Sequence, residues 1–145
     1  KAIRFKETDV RPMGRSTRGV KGMNINKEDK VISIIKVNPD SNLLTLSENG
    51  YGKRTNISEF GGQKRGGKGV IALNTSDRNG MMVAAVQVLD GDEVMLIGNK
   101  GTLIRTQVDQ ISVIGRNTQG VKVVSTREDE KLVDAVGFKE SLDEE

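Results

Sequence analysis

The 145-residue sequence predicts an all-β protein of propeller-like blades, each of about four antiparallel strands, with about three blades forming a partial wheel. Three observations carry this reading. Segments recur with a period near fifty residues. The recurring segments are short, β-branched or apolar, and bounded by turn residues. No 11-residue window has convincing helical periodicity.

The period appears in several independent strings. "GKRTNISEF" (Gly52–Phe60) resembles "LIRTQVDQI" (Leu103–Ile111) at an offset of 51, with Arg54 over Arg105. "AIRFKETDV" (Ala2–Val10) fits the same frame at an offset of 50, with Arg4 over Arg54. "KVISIIKV" (Lys30–Val37) matches "MMVAAVQV" (Met81–Val88) at 51 and "KLVDAVGF" (Lys131–Phe138) at 101. "LLTL" (Leu43–Leu46) matches "VMLI" (Val94–Ile97), again at 51. One period shared by separate segments marks a repeat architecture.

Within each repeat the elements read as strands. Val31–Val37 and Leu43–Leu46 lie between "NPDSN" and "ENG" turns. Asn49-Gly50, Asn79-Gly80 and Lys100-Gly101 are turn dipeptides. "REDEKLVDAV" (Arg127–Val136) has helical propensity, but the repeat assigns it to a strand, and tertiary context overrides propensity. Met81, Met82 and Met95 fall in strand-like runs and read as core filler. The opening "KAIRF" is strand-like and lacks an initiator Met, as in a fragment cut from a longer protein. The chain then starts with the closing strand of one blade and ends before the next blade's second hairpin. Either further blades complete a ring, or two chains pair to do so.

Composition narrows the chemistry. Hydrophobic content is 34% and charged content 30%, too apolar for a disordered chain. No apolar run approaches the roughly 20 residues of a membrane span, and no leader resembles a signal peptide. Cysteine and histidine are both absent, which excludes disulfides, thiolate zinc sites and Cys–His or Ser–His dyads. A cytoplasmic chain without catalytic, metal or cofactor sites of its own is expected. Charge is uneven. Residues 1–125 hold 20 Lys+Arg and 12 Asp+Glu, a net of +8; residues 126–145 hold 3 and 8, a net of −5, and the sum is the +3 of the chain. A basic body of this kind suits a polyanion partner.

The basic residues concentrate at the blade junctions, near 11–22, 61–69 and 115–123. The strings are "GRSTRGVKG" (Gly14–Gly22), "GGQKRGGKG" (Gly61–Gly69) and "GRNTQGVKV" (Gly115–Val123). The middle one contains Gly62, four residues, Gly67 and Lys68, close to a nucleotide-binding P-loop. That reading fails twice: position 69 is Gly rather than Ser or Thr, and the loop runs into the strand-like "VIAL" (Val70–Leu73) rather than a helix. Glycines interleaved with cations suit the phosphates of duplex DNA instead, since glycine admits close backbone approach and Lys and Arg supply charge. Single-strand binding needs aromatic platforms, and the chain has only Phe5, Tyr51, Phe60 and Phe138. A protein-interaction propeller that does not bind DNA is the rival from another class.

"QKRGGKG" (Gln63–Gly69), "GYGKRT" (Gly50–Thr55), "GTLIRT" (Gly101–Thr106) and "GRNTQGV" (Gly115–Val121) together resemble the C-terminal domain of bacterial DNA gyrase A, over essentially the whole chain. "QKRGGKG" is similar to the family's signature box, one substitution from Q-R-R-G-G-K-G. The resemblance implies a β-pinwheel, here residues 1–139, followed by the start of an acidic tail at 140–145. It implies duplex DNA wrapped on a basic rim to support ATP-dependent negative supercoiling near the nucleoid. The implied partners are a second copy of gyrase A, and gyrase B. ATP and magnesium would be used, and DNA cleaved, elsewhere in the parent enzyme, a DNA topoisomerase. The box here precedes the blade ending in "GRNTQGV", later than is usual for the family. It either occupies a later blade or is a second copy in a longer chain. The corresponding C-terminal domain of topoisomerase IV is the alternative within the same enzyme class.

The box residues Gln63, Lys64, Arg65, Gly66, Gly67, Lys68 and Gly69 are accordingly the expected DNA contacts, with Lys64, Arg65 and Lys68 strongest. Arg15, Arg18, Lys21, Arg116 and Lys122 are secondary candidates. Lys53, Arg54 and Arg105 are weaker ones, since the Arg of each R-T pair is also placed to anchor a blade edge. Tyr51, the sole tyrosine, has no activating partner in the sequence and reads as a packing or rim residue. The tail Glu140–Glu145 reads as a competitor of DNA for the rim or as a solubilising terminus.

Overall fold

The computed structural model describes residues 1–139, so the acidic tail at 140–145 lies outside the described residues. The chain forms two compact units. One comprises Lys1–Val31 with Phe60–Ala72, the other Ile32–Glu59 with Leu73 onward.

Among the described residues the second unit holds seven strands: β1 (Asn42–Ser47), β2 (Tyr51–Asn56), β3 (Met82–Val88), β4 (Glu93–Gly98), β5 (Leu103–Gln107), β6 (Val121–Lys122) and β7 (Leu132–Phe138). They form two antiparallel sheets, ordered β3-β1-β2-β6 and β5-β4-β7. The second half of the stretch with helical propensity, residues 132–136, lies in β7, because its apolar residues pair with β4: Leu96 faces Ala135 in register; residues 127–130 form a turn before it. The core gathers on the central strands. Leu44 and Leu46 of β1 and Val94 and Leu96 of β4 pack with Ala84, Val88, Val108, Ile111, Leu132 and Ala135. Of the methionines read as core filler, Met82 and Met95 are half-buried, but Met81 precedes β3 and is 62% exposed.

The fifty-residue period is visible in the structure. Single turns of 3-10 helix fall at Glu7–Asp9, Ile57–Glu59 and Val108–Gln110. Ladder irregularities fall at Leu46/Ser47 and Ile97/Gly98. In the first unit Ala2 pairs with Val70 and Arg4 with Gly62; in the second, Gly52 pairs with Val121 and Arg54 with Val113. These are the same pairings one repeat apart.

Each sheet draws on two repeats. The β1–β2 hairpin takes β3 as its outer strand, although β3 belongs to the following repeat, and β4–β5 takes β7 in the same way. The strand-like "KAIRF" and "VIAL" make only isolated bridges, at Ala2, Arg4 and Val70. The exchange of outer strands explains a further expected strand that does not form. Val31–Val37 holds the repeat position of β3 and β7, but among the described residues no hairpin stands where β1 and β4 stand for those strands. The segment takes no regular structure, and side-chain bonds link it to β3: Ser33 Oγ donates to the Ala85 carbonyl at 3.1 Å, and Gln87 Nε2 to the Lys36 carbonyl at 2.9 Å. Ile34 is 95% exposed there. No helix among the described residues is long and apolar enough to cross a membrane.

Candidate nucleic-acid interface

The box loop is stitched to the segment 9–24 within the first unit. The Gly66 amide donates to the Gly22 carbonyl and the Asn24 amide to the Gly67 carbonyl, both at 2.8 Å. The Gln63 amide donates to the Arg4 carbonyl at 2.7 Å. The glycines therefore serve chain-to-chain approach. Gly69 has φ +74, and a Cβ built there would lie 2.3 Å from the Ala2 carbonyl oxygen. Gly67 lies over Ile3, 3.4 Å from Cδ1 to its would-be Cβ. The N–H groups of Gln63 and Gly66 are already bonded to the carbonyls of Arg4 and Gly22, outside the box, and so are not offered to a phosphate.

The three box cations divide. Arg65 is half-buried and acts inward, its Nη1 donating to the Lys21 carbonyl at 2.8 Å and its Nε to the Asp9 carbonyl at 3.2 Å. It ties the loop to its neighbouring segment. Lys64 and Lys68 are exposed, with no hydrogen bond or ion pair among the described residues. Arg15, Arg18 and Lys21 are exposed on the same unit.

The second unit repeats the junction. Gly19, Gly69 and Gly120 have φ of 75°, 74° and 77°, at spacings of 50 and 51 residues. At Gly120 the would-be Cβ meets the Gly52 carbonyl oxygen at 2.7 Å, as Gly69 meets Ala2. The structural counterpart of 61–69 is thus 112–120, three residues before the stretch that string similarity selects.

Lys53 departs most from expectation. Its side chain is fully buried, and Nζ donates to the carbonyls of Gly115 (2.9 Å), Arg116 and Thr118 (3.1 Å) and to Thr118 Oγ1 (3.1 Å). Burial pulls its pKa down from 10.5 to about 8, against the raising influence of Glu59. Lys53 holds the junction loop from beneath, its ammonium spent on loop carbonyls and closed off from solvent. The signal was in the repeat itself: Lys53 occupies the column of Ile3 and Ile104, an interior position. Arg116, above it, is half-buried, and its amide donates to Glu59 Oε1 at 3.0 Å. Lys122, in β6, is exposed.

The R-T arginines are anchors. Arg54 is 6% exposed, with Nε on the Ile111 carbonyl and Nη1 on Asp90, both at 2.7 Å. Arg4 repeats the first contact one period earlier, donating to the Phe60 carbonyl at 3.2 Å. Arg105 pairs with Glu93, Nε to Oε2 at 2.7 Å, and stacks 4.9 Å from the Phe138 ring. Of the two roles expected for Arg54, burial favours the blade-edge anchor over the phosphate contact, and Arg105 has its charge met by a carboxylate. Sequence reasoning passed over Arg78, which lies outside the junctions. Its guanidinium stacks on Tyr51 at 5.1 Å, and Nε donates to the phenol oxygen at 3.3 Å. No group of three or more acidic side chains able to hold a metal occurs among the described residues.

Blade-like sheets repeated every fifty residues, with glycine-locked cationic junctions, define a repeat protein of the β-propeller class. The family model for the DNA gyrase C-terminal domain, β-propeller, matches residues 1–38, 41–88 and 92–136. The DNA gyrase A protein of Escherichia coli (strain K12) is 48% identical over 145 residues, covering 100% of this chain and 17% of that protein. The DNA gyrase A protein of Pseudomonas aeruginosa is 52% identical over 133 residues, 92% of this chain and 14% of that protein. The solved structure of a DNA gyrase A C-terminal domain superposes with a TM-score of 0.86 at 32% identity, over 92% of this chain and 46% of that one. A topoisomerase IV C-terminal domain shares the fold, with a TM-score of 0.85 at 24% identity, over 93% of this chain and 42% of its own. The chain belongs to the DNA gyrase C-terminal domain family, and it spans about a sixth of the length of the curated relatives it matches.

Proposed function

We propose that this chain is the non-catalytic part of a gyrase A protein that binds duplex DNA and bends it, in support of ATP-dependent negative supercoiling. The observation that carries the reading is the pair Lys64 and Lys68. Both are exposed and lack a carboxylate partner among the described residues, on a loop whose backbone is bonded on both flanks. Such cations neutralise phosphates without reading base sequence. The loop is held rigid beforehand, so little ordering opposes binding. In the whole enzyme the partners are duplex DNA, a second copy of gyrase A, and gyrase B, with ATP and magnesium used elsewhere, in the cytoplasm.

Bending sets the scale the contacts must exceed. Curving 20–30 base pairs by 40–90° costs on the order of 1–6 kcal/mol. A few distributed ionic contacts meet that, and only a duplex long enough to curve gains all of them. The test is a gel-shift titration with duplexes of about 40 and about 150 base pairs at two salt concentrations. Tighter binding of the long duplex, weakened by salt, is expected. Salt-insensitive binding of a protein partner with no DNA affinity would replace this reading with the interaction-propeller one.

A further inference from the structure

We propose that Tyr51, Arg78 and Lys122 form a phosphate-binding site, with residues distinct from the box, that takes a backbone phosphate of duplex DNA. The inference rests on the DNA-binding reading and adds a site to it.

The three side chains come together for separate reasons. Tyr51 opens β2 and faces Lys122 of β6 directly in register, and directly opposed residues of antiparallel strands project from the same face. Arg78 arrives from the loop 74–80, which is held in place. Asn79 is fully buried, and its amide donates to the Asn74 carbonyl at 2.9 Å and the Gln119 carbonyl at 3.2 Å. Its Oδ1 accepts the Ser76 amide at 2.7 Å. Asn49 Nδ2 donates to the Arg78 carbonyl at 3.2 Å, and the Asn74 amide to the Thr118 carbonyl at 2.9 Å. The loop that presents Arg78 is thus bound to the same junction that presents Lys122.

The chemistry converges on an anion. Arg78 Nε donates to the Tyr51 oxygen, so the phenol hydrogen remains to be donated outward. The other guanidinium nitrogens of Arg78 have no partner among the described residues, and neither does the Lys122 ammonium. Arg78 and Lys122 are exposed and have no carboxylate partner there. The adjacent Asp77 faces a separate cleft with Glu48 and Lys131. The Tyr51 phenol pKa is lowered by the Arg78 hydrogen bond first, and also by the charges of Arg78 and Lys122, with partial burial opposing. A neutral donor and two cations around one point are what a phosphate diester accepts.

Tyr51 is the only tyrosine and the chain has no tryptophan, so its fluorescence and its tyrosinate absorbance report this site alone. The 145-residue chain is titrated with a short duplex, and separately with inorganic phosphate against chloride of equal ionic strength. Duplex binding is expected to change the Tyr51 fluorescence and to raise the pH at which the phenol ionises. R78Q and K122Q should each reduce the salt slope by about 0.9, while Y51F weakens binding with the slope kept. Tyr51 signals unmoved by saturating duplex, with unchanged slopes in R78Q and K122Q, would overturn the site. If K64A/K68A still lowers the slope in that case, DNA binding stands and this site alone fails. No duplex binding by the unaltered chain overturns both.

Discussion

Lys53 Nζ donates to the Gly115 carbonyl at 2.9 Å from a side chain with no solvent exposure. A junction that looks like a surface loop therefore has a buried cation at its base. The neighbouring carbonyls of Arg116 and Thr118 turn to the same ammonium.

Replacing Lys53 by Met should free those carbonyls and speed amide hydrogen exchange across Gly115–Thr118. The pH dependence has a definite sign. The folded pKa is about 8 and the ordinary value 10.5. Between these values the unfolded chain keeps a proton that the folded chain has released, so the stability contributed by Lys53 rises with pH. Protonation of the buried amine is a cost below about pH 8, lifted as pH approaches the unfolded value. Urea unfolding at about pH 8 and about pH 10 should show the native chain gaining at most about 2 kcal/mol relative to K53M. A difference that stays flat with pH would show that Lys53 is not shifted.

The box cations should separate by charge and by geometry. K64A and K68A are each expected to reduce the salt slope of duplex binding by about 0.9, with the fold unchanged. R65K keeps the charge but loses the fork that reaches both Asp9 and Lys21. It should loosen the loop and weaken binding while leaving the slope near its native value, as measured by gel shift across a salt series. Full affinity in R65K would make Arg65 an ordinary phosphate contact.

Gly69 and Gly120 should resist substitution together. Alanine at either needs the left-handed backbone region, which costs about 1–2 kcal/mol, and its Cβ would meet a backbone carbonyl at 2.3 or 2.7 Å. G69A and G120A are expected to lower the thermal midpoint. G22A is the control, since nothing lies within 4 Å of its would-be Cβ and its φ is not positive. Equal midpoints for all three variants would remove the close approach as a determinant of the junction.

Much of the fold was legible because a repeat constrains many residues at once. The offsets of 50 and 51 reappear in the 3-10 turns, the locked glycines and the arginine anchors. Strand pairing was less legible. Periodicity marks Val31–Val37 as strand-like but does not say which hairpin it joins, and ladder formation depends on that partner. Of the proposed contacts, Lys64 and Lys68 were singled out by their glycine neighbours, and both are exposed. Lys53 was misplaced as a weak DNA contact, although its column holds Ile3 and Ile104, whereas the anchoring alternative for Arg54 is the one its burial supports. Arg78 could not be found by counting charge near glycines, since its place depends on the buried amide of Asn79.

The outer strands β3 and β7 each complete the sheet of the repeat before their own. The unit of duplication and the unit of folding are therefore out of phase by one strand. Removing or adding one whole period leaves every hairpin with an incoming strand of the same kind. A segment cut to hold one tidy repeat holds a hairpin without its cover and a strand without its hairpin. Such a chain can change its number of blades by recombination within the period, while no blade can be inherited, or lost, alone.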